Sequence, residues 1–236
     1  MNSAFIAILG TFIASHLMSA EPAPSHWQTL SGEQRLANLH QRRDADVKAA
    51  LKAKDLALGD EVFIRVMKED FELELWLKPK SELTYKLYQT YRIAAFSGRL
   101  GPKTKQGDFQ APEGFYATTR QLMNPASTYH LSFNIGYPNA YDRALGRTGS
   151  LIMVHGKNVS IGCFAMTDPI IEEIYLIVDA ALSAGQSTVP VHCFPFRMTA
   201  RRLAKEKDSP WHDFWQKLKQ GWDAFEQTKT PPQIKL

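Results

Sequence analysis

"EVFIRVMKEDFELELWLKPKSELTYKLYQTYRIAAFSG", residues 61–98, decides the architecture. Its apolar period is two, not 3.6. Phe71, Leu73, Leu75 and Leu77 fall on one side of a strand, and Glu72, Glu74 and Trp76 on the other. Three strand-like runs follow, at 62–67, 71–77 and 84–96, with "KED" and "KPKSE" as the turns. Before this stretch the pattern is helical. Ser31 and Gln34 have the spacing of a capping box. Leu36, Leu39, Val47, Ala50 and Leu51 give a rough stripe, and Gly59 fits the exit. These residues predict a polar helical arm ahead of a mainly β domain.

After residue 98 comes "GRLGPKTKQGDFQAPEG", a long Gly/Pro/Lys loop of the kind that shapes a binding groove. "FYATT" then reads as a strand. "NIGYPNAYDRALGRTGSLIMVHG", 134–156, passes through a polar loop into the apolar strand "SLIMV", which His155 and Gly156 close. "TDPIIEEIYLIVDAALSAG" predicts an apolar helix, with Asp168 as N-cap, Pro169 in the first turn and Gly185 at its end. "TVPVHCFPF" is a last strand. In it His192 and Cys193 alternate, so one of them faces the core. "SPWHDFWQKLKQGW" is an amphipathic helix with Trp211, Phe214, Trp215 and Leu218 on its apolar side. The expected class is α+β, mainly β with flanking helices.

The chain has 236 residues and is 44% hydrophobic, enough for one well-cored domain with additions. The net charge of +4 suits an anionic partner such as a bacterial wall or lipid headgroups. No Lys/Arg run or RNA-binding signature appears, which argues against nucleic acid. Residues 4–17, "AFIAILGTFIASHL", have the length of a signal-peptide apolar region, and "MSAEPAP" follows. Export to the periplasm is expected, with 1–20 cleaved or kept as an anchor. Residues 21–60 then form a linker and helical arm, 61–197 the main domain and 198–236 a helical extension.

The chain has two cysteines, Cys163 and Cys193. In an oxidising compartment they are either a disulfide or two thiols. Cys163 lies in "MVHGKNVSIGCFAM", beside Gly162 and eight residues after His155. A nucleophilic thiol needs a base in reach and donors for the developing oxyanion. Gly162 lets backbone N–H groups approach the reacting atom. Taken alone, these residue types fit a nucleophile with its base as well as a small buried cysteine in a turn with a capping histidine. A zinc site made of His155, Cys163, His192 and Cys193 has the right donors without the close paired spacing of common structural sites.

Order and spacing add to this reading. His155–Gly156 at a strand end, with Ser160, Gly162 and Cys163 before a helix, resembles the L,D-transpeptidase (YkuD-type) catalytic domain of bacterial cell-wall enzymes. "QGDFQAPEGFY" and "GYPNAYD" resemble further elements of that family, and the likeness covers about residues 61–197. It implies a β-sandwich-like domain that calls for no cofactor or metal. Two positions depart from the pattern. Ile161 stands where a His usually precedes Gly-Cys, and Ala165 where an Arg usually follows. "SGRLGPK", "NIGYPNAYDRA", "PFRMT" and the C-terminal "DFWQKLKQG" resemble a subgroup that includes periplasmic amidases releasing lipoprotein from murein.

The resemblance implies acyl transfer on peptidoglycan stem peptides. His155 deprotonates Cys163, the thiolate attacks the carbonyl at the L-centre of diaminopimelate, and N–H groups around Gly162 and Cys163 hold the oxyanion. Ser160 either orients His155 or closes an ordinary turn. Arg143, Tyr141, Lys103 and Lys105, with the Gly156 backbone, are candidate substrate contacts. Water resolving the thioester would make an amidase acting on murein-linked lipoprotein, or a carboxypeptidase. An amine would make a transpeptidase. A papain-like peptidase is disfavoured because its Cys precedes its His. A wall-binding module without chemistry is the non-enzymatic alternative.

Overall fold

The computed structural model describes residues 22–232. The expected signal segment, 1–20, lies outside them. No helix among the described residues is long and apolar enough to cross a membrane.

Strands β1 (Glu61–Met67), β2 (Glu72–Lys78) and β3 (Lys86–Arg92) form the expected antiparallel run. β3 is shorter than the period suggested because the chain leaves the sheet after Arg92. Ala94 N–H donates to the Ala165 carbonyl at 2.8 Å, and Ala165 N–H to Ala95 at 2.9 Å. Residues 94 and 95 therefore stitch one sheet to the other. The first sheet is completed by β4 (Gly114–Thr118) and by β9 (Val189–Phe194), which pairs parallel with β1, in the order β3-β2-β1-β9-β4. The second sheet comprises β5 (Met123–Asn124), β6 (Ser132–Asn134), β7 (Met153–His155) and β8 (Phe164–Ala165), in chain order. β7 starts later than "SLIMV" implies, because Leu151 takes a positive φ of 57° and stays 70% exposed.

Four further helices complete the order: α2 (Ala140–Ala144), α3 (Asp168–Ser183), α4 (Ala200–Ala204) and α5 (His212–Thr228). The main core gathers Val62, Ile64 and Val66 of β1, Leu73, Leu75 and Leu77 of β2, Phe133 and Val154 of the second sheet, and Ile174 and Val178 of α3. The other side of the first sheet is covered as well. Met67 and Phe194 pack with Phe214, Trp215, Leu218 and Trp222 of α5. Hence both His192 and Cys193 are buried, where alternation predicted only one. His192 lies against Phe63 and Phe115, at 4.8 and 4.3 Å between ring centroids. Burial, with Arg65 nearby, pushes its imidazole down to about 3.

The N-terminal helix α1 (Gly32–Lys52) has the expected capping box. It is not a projecting arm: Leu39, Val47 and Leu51 join the main core. Arg42 pairs with Glu172 of α3 at 2.7 Å, and Arg35 donates to the carbonyls of Ser127 (2.7 Å) and His130 (3.1 Å). Helix α3 begins one residue earlier than predicted. Thr167 is its N-cap and Asp168 its first residue, which frees the Asp168 carboxylate for the loop described next.

Candidate active site

Strands β7 and β8 run parallel, with Val154 opposite Phe164 and His155 opposite Ala165. Partnered residues of a pair point to the same side of the sheet. Carried one residue back, this register sets Cys163 against Met153, on the face that His155 and Ala165 share. The Met153 N–H reaches Cys163 Sγ at 3.3 Å, as that placement requires. Cys163 and His155 are thus diagonal neighbours on one face of adjoining strands. No hydrogen bond joins them in this structure, and the thiol leans instead toward the Leu151 carbonyl at 3.5 Å.

His155 is buried, and its Nδ1 lies 2.6 Å from the Gly156 carbonyl oxygen. A carbonyl only accepts, so Nδ1 carries the proton and Nε2 keeps its lone pair. Tyr129 tilts against the ring at 4.8 Å. Burial holds the His155 imidazole below its ordinary value, partly offset by the Gly156 carbonyl. Burial pushes the half-buried Cys163 thiol up, while the Met153 N–H and the charge of Lys103 pull it back part of the way. Both effects favour the neutral pair, thiol and imidazole, at rest.

Gly156 is required by close approach. A Cβ there would lie 2.6 Å from Asp168 Oδ1 and 2.8 Å from both His130 Cβ and the Tyr129 carbonyl. Its N–H bonds the Tyr129 and Leu131 carbonyls at 3.0 and 3.1 Å. Asp168 Oδ1 accepts the Lys157 N–H at 2.7 Å, pinning the loop after His155 to the start of α3. Behind it, His130 Nε2 meets Glu172 Oε1 at 2.9 Å.

Of the two arrangements expected of Ser160, the turn that carries the thiol shows the second. Ser160 Oγ donates to the Cys163 carbonyl at 2.7 Å and accepts the Gly162 N–H at 3.2 Å. Ser160 therefore closes the turn, and Gly156, not Ser160, orients His155. The Gly162 N–H is turned onto Ser160, while the Cys163 N–H has no acceptor among the described residues and is the donor left for an oxyanion. Gly162 has a φ of 130°, a conformation that favours glycine.

The candidate substrate contacts separate. Lys103 is buried and committed to Asp108 (2.5 Å) and the Lys105 carbonyl (2.9 Å). It acts on the thiol through its field rather than as a free cation. Lys105 is exposed. Arg143 is exposed and donates to the Pro138 carbonyl. Tyr141 stacks on Phe214 of α5, at 5.7 Å and 10° between planes. Cys163 and Cys193 are both free thiols, Cys193 deep in the core. The four residues weighed as a zinc site are divided between the two sheets.

Sequence reading missed the residues that hold the 97–113 loop. Lys68 Nζ is fully buried and donates to the carbonyls of Arg99 (2.9 Å), Gly101 (2.9 Å) and Ala111 (3.0 Å) and to Glu113 Oε1 (2.9 Å). Glu113 also accepts the Gly101 N–H (2.7 Å) and the Trp215 indole N–H (2.7 Å). This network sets Gln110, whose carbonyl oxygen would lie 3.5 Å from a Cβ on Gly162.

The family model of the L,D-transpeptidase catalytic domain (YkuD) matches residues 62–192, which contain all of these elements except the outer helices. The chain belongs to the L,D-transpeptidase (YkuD) family. It is 46% identical over 183 residues to "Putative L,D-transpeptidase YafK" of Escherichia coli (strain K12), covering 78% of this chain and 74% of that protein. Among solved structures it resembles the helical cell shape determining protein Pgp2 from Campylobacter jejuni. That match has 18% identity and a TM-score of 0.45, covering 80% of this chain and 79% of that one. YkuD members are cysteine-dependent, and Cys163 is the cysteine that lies on the surface side of the fold beside a histidine.

Proposed function

We propose that this protein is a periplasmic, cysteine-dependent peptidoglycan amidase. Its reaction is hydrolysis of the diaminopimelate–lysine amide that links outer-membrane lipoprotein to the wall. The observation that carries the chemistry is the β7–β8 register, which sets Cys163 and a correctly protonated His155 on one face. His155 Nε2 takes the proton from Cys163 Sγ as sulfur attacks the amide carbonyl. The Cys163 N–H stabilises the oxyanion, and His155 returns the proton to the departing lysine amine. Water, deprotonated by His155, then attacks the thioester and releases the stem peptide with a free carboxylate and Cys163 as a thiol. The choice of water over an amine is supported by the subgroup resemblance; Ile161 and Ala165, at positions where the family's usual pattern has His and Arg, mark only that the site differs from that pattern.

The neutral resting pair gives this mechanism a pH signature. Catalysis needs His155 unprotonated, so activity falls as pH drops through the imidazole's value. Burial puts that value below the ordinary ~6.5. The alkaline fall, where the pair loses its one shared proton, belongs above the ordinary thiol value of about 8.5, because burial raises Cys163. The kcat/KM profile should therefore be a broad bell, with its acid limb below 6.5. An acid limb above 7 contradicts the assignment. The function itself is tested with purified protein, lipoprotein-linked muropeptides and free tetrapeptides, reading products by mass. Release of lipoprotein peptide with gain of water supports the amidase. New diaminopimelate–diaminopimelate cross-links, or loss of a terminal residue alone, replace it with a transpeptidase or a carboxypeptidase.

A further inference from the structure

Beside the turn that carries Cys163, loop 97–110 and the start of α5 border an open cavity of about 270 Å³. Arg99, Gly101, Thr104, Asp108, Gln110 and Trp211 line it. Gln110 joins this cavity to the thiol turn, since its carbonyl faces Gly162. The floor is held in place. The Arg99 and Gly101 carbonyls both accept from buried Lys68 at 2.9 Å, and Gln110 Nε2 donates to the Gly101 carbonyl at 2.8 Å. Trp211 is half-buried, and a Cβ on Gly101 would come within 2.5 Å of its indole nitrogen, so only glycine allows the ring to lie on this loop.

The charges lining the cavity are not balanced. Asp108 is occupied by Lys103 at 2.5 Å and by the N–H groups of Thr104 (2.9 Å), Lys105 (3.1 Å) and Gln110 (3.1 Å). Its charge is neutralised by a buried partner. Arg99 is exposed, and its guanidinium has no ion pair or hydrogen bond among the described residues. Nor has the indole N–H of Trp211. One free cation and one free donor on a rigid floor are complementary to a carboxylate. At the position where the family's usual pattern has an Arg, two residues after the cysteine, this chain has the fully buried Ala165.

We propose that this cavity is a subsite for a carboxylate of the stem peptide, with Arg99 supplying the charge and Trp211 the wall and a donor. The proposal rests on the stem-peptide reading above. Trp211 lies beyond residues 62–192, so the C-terminal extension takes part in substrate selection. The tetrapeptide stem offers carboxylates on diaminopimelate, on glutamate and at its C-terminus.

Calorimetric titration of the Cys163→Ala protein measures the subsite without turnover. The probes are the tetrapeptide muropeptide and three derivatives, amidated at the free diaminopimelate carboxylate, at the glutamate carboxylate or at the C-terminal carboxylate. Adding Arg99→Gln should weaken binding of the acidic peptide about five- to tenfold, the range of a partly exposed charge-assisted contact. Arg99→Lys should recover part of this, and Trp211→Ala should weaken binding too. Amidation of the carboxylate that enters the subsite should cost the same factor with Arg99 present and nothing with Arg99→Gln. Equal affinities with and without Arg99→Gln, or amidation effects that ignore residue 99, overturn the subsite. If wild type turns over none of these peptides while Arg99 still governs binding, the subsite stands and the acyl-transfer reading falls.

Discussion

Cys163→Ala is expected to release no lipoprotein peptide above the uncatalysed rate, and His155→Gln to retain a kcat about 10²–10⁴ lower than wild type. The two losses differ because the two side chains do different things. Without sulfur there is no thioester, and no other nucleophile lies on that face of β7 and β8. Without the imidazole, the thiol must lose its proton to solvent, and burial makes that harder by holding the thiol up. The His155→Gln protein should therefore regain rate as pH rises, while Cys163→Ala should not. Single-turnover assays from pH 6 to 10 measure both. A Cys163→Ala protein with wild-type activity removes the mechanism, and a pH-independent His155→Gln protein removes the histidine's role as base.

The second large effect is on stability. Lys68→Met should lower the free energy of unfolding by about 3–5 kcal/mol, because it strands Glu113 as an uncompensated charge at 0% exposure. It also removes the ammonium donor from the Arg99, Gly101 and Ala111 carbonyls, leaving them to share the Gln110 side-chain amide. For a chain of this size that corresponds to a fall of roughly 6–20 °C in Tm. Calorimetry or denaturant unfolding checks the value, and a change below about 1 kcal/mol contradicts the network. Loop 97–113 should loosen with it, so KM for stem peptide should rise in the variant at temperatures where it remains folded.

These two effects mark what the sequence makes visible and what it hides. That Cys163 and His155 come to adjoining strands is readable because His-Gly closes one strand and the thiol follows eight residues later. The strands of 61–92 are readable because β2 carries its period in consecutive residues. The covering of both faces of that sheet is not, since the second cover, α5, comes about 150 residues later, and a strand such as β1 does not say what will lie on it. Lys68 sits in "MKED", which has the composition of a turn, and nothing local indicates that Glu113 will meet it. Lys103 misleads in the opposite sense. A lysine in a Gly/Pro loop reads as a solvated cation, yet Asp108, five residues on, folds back and buries it. Ser160 has the right place to orient His155, but a hydroxyl two residues from a glycine at positive φ finds backbone groups of its own turn first. The oriented proton on His155 depends on a carbonyl, that of Gly156, which any residue would provide. What is particular to Gly156 is the space it leaves for Asp168 and His130.

The direct test of the proposed function is the amount of lipoprotein bound to sacculi purified from cells that overproduce either wild-type protein or Cys163→Ala. The amidase predicts a lower bound fraction with wild type and no change with Cys163→Ala. A bound fraction that rises with wild type, or one that falls equally with both proteins, contradicts it.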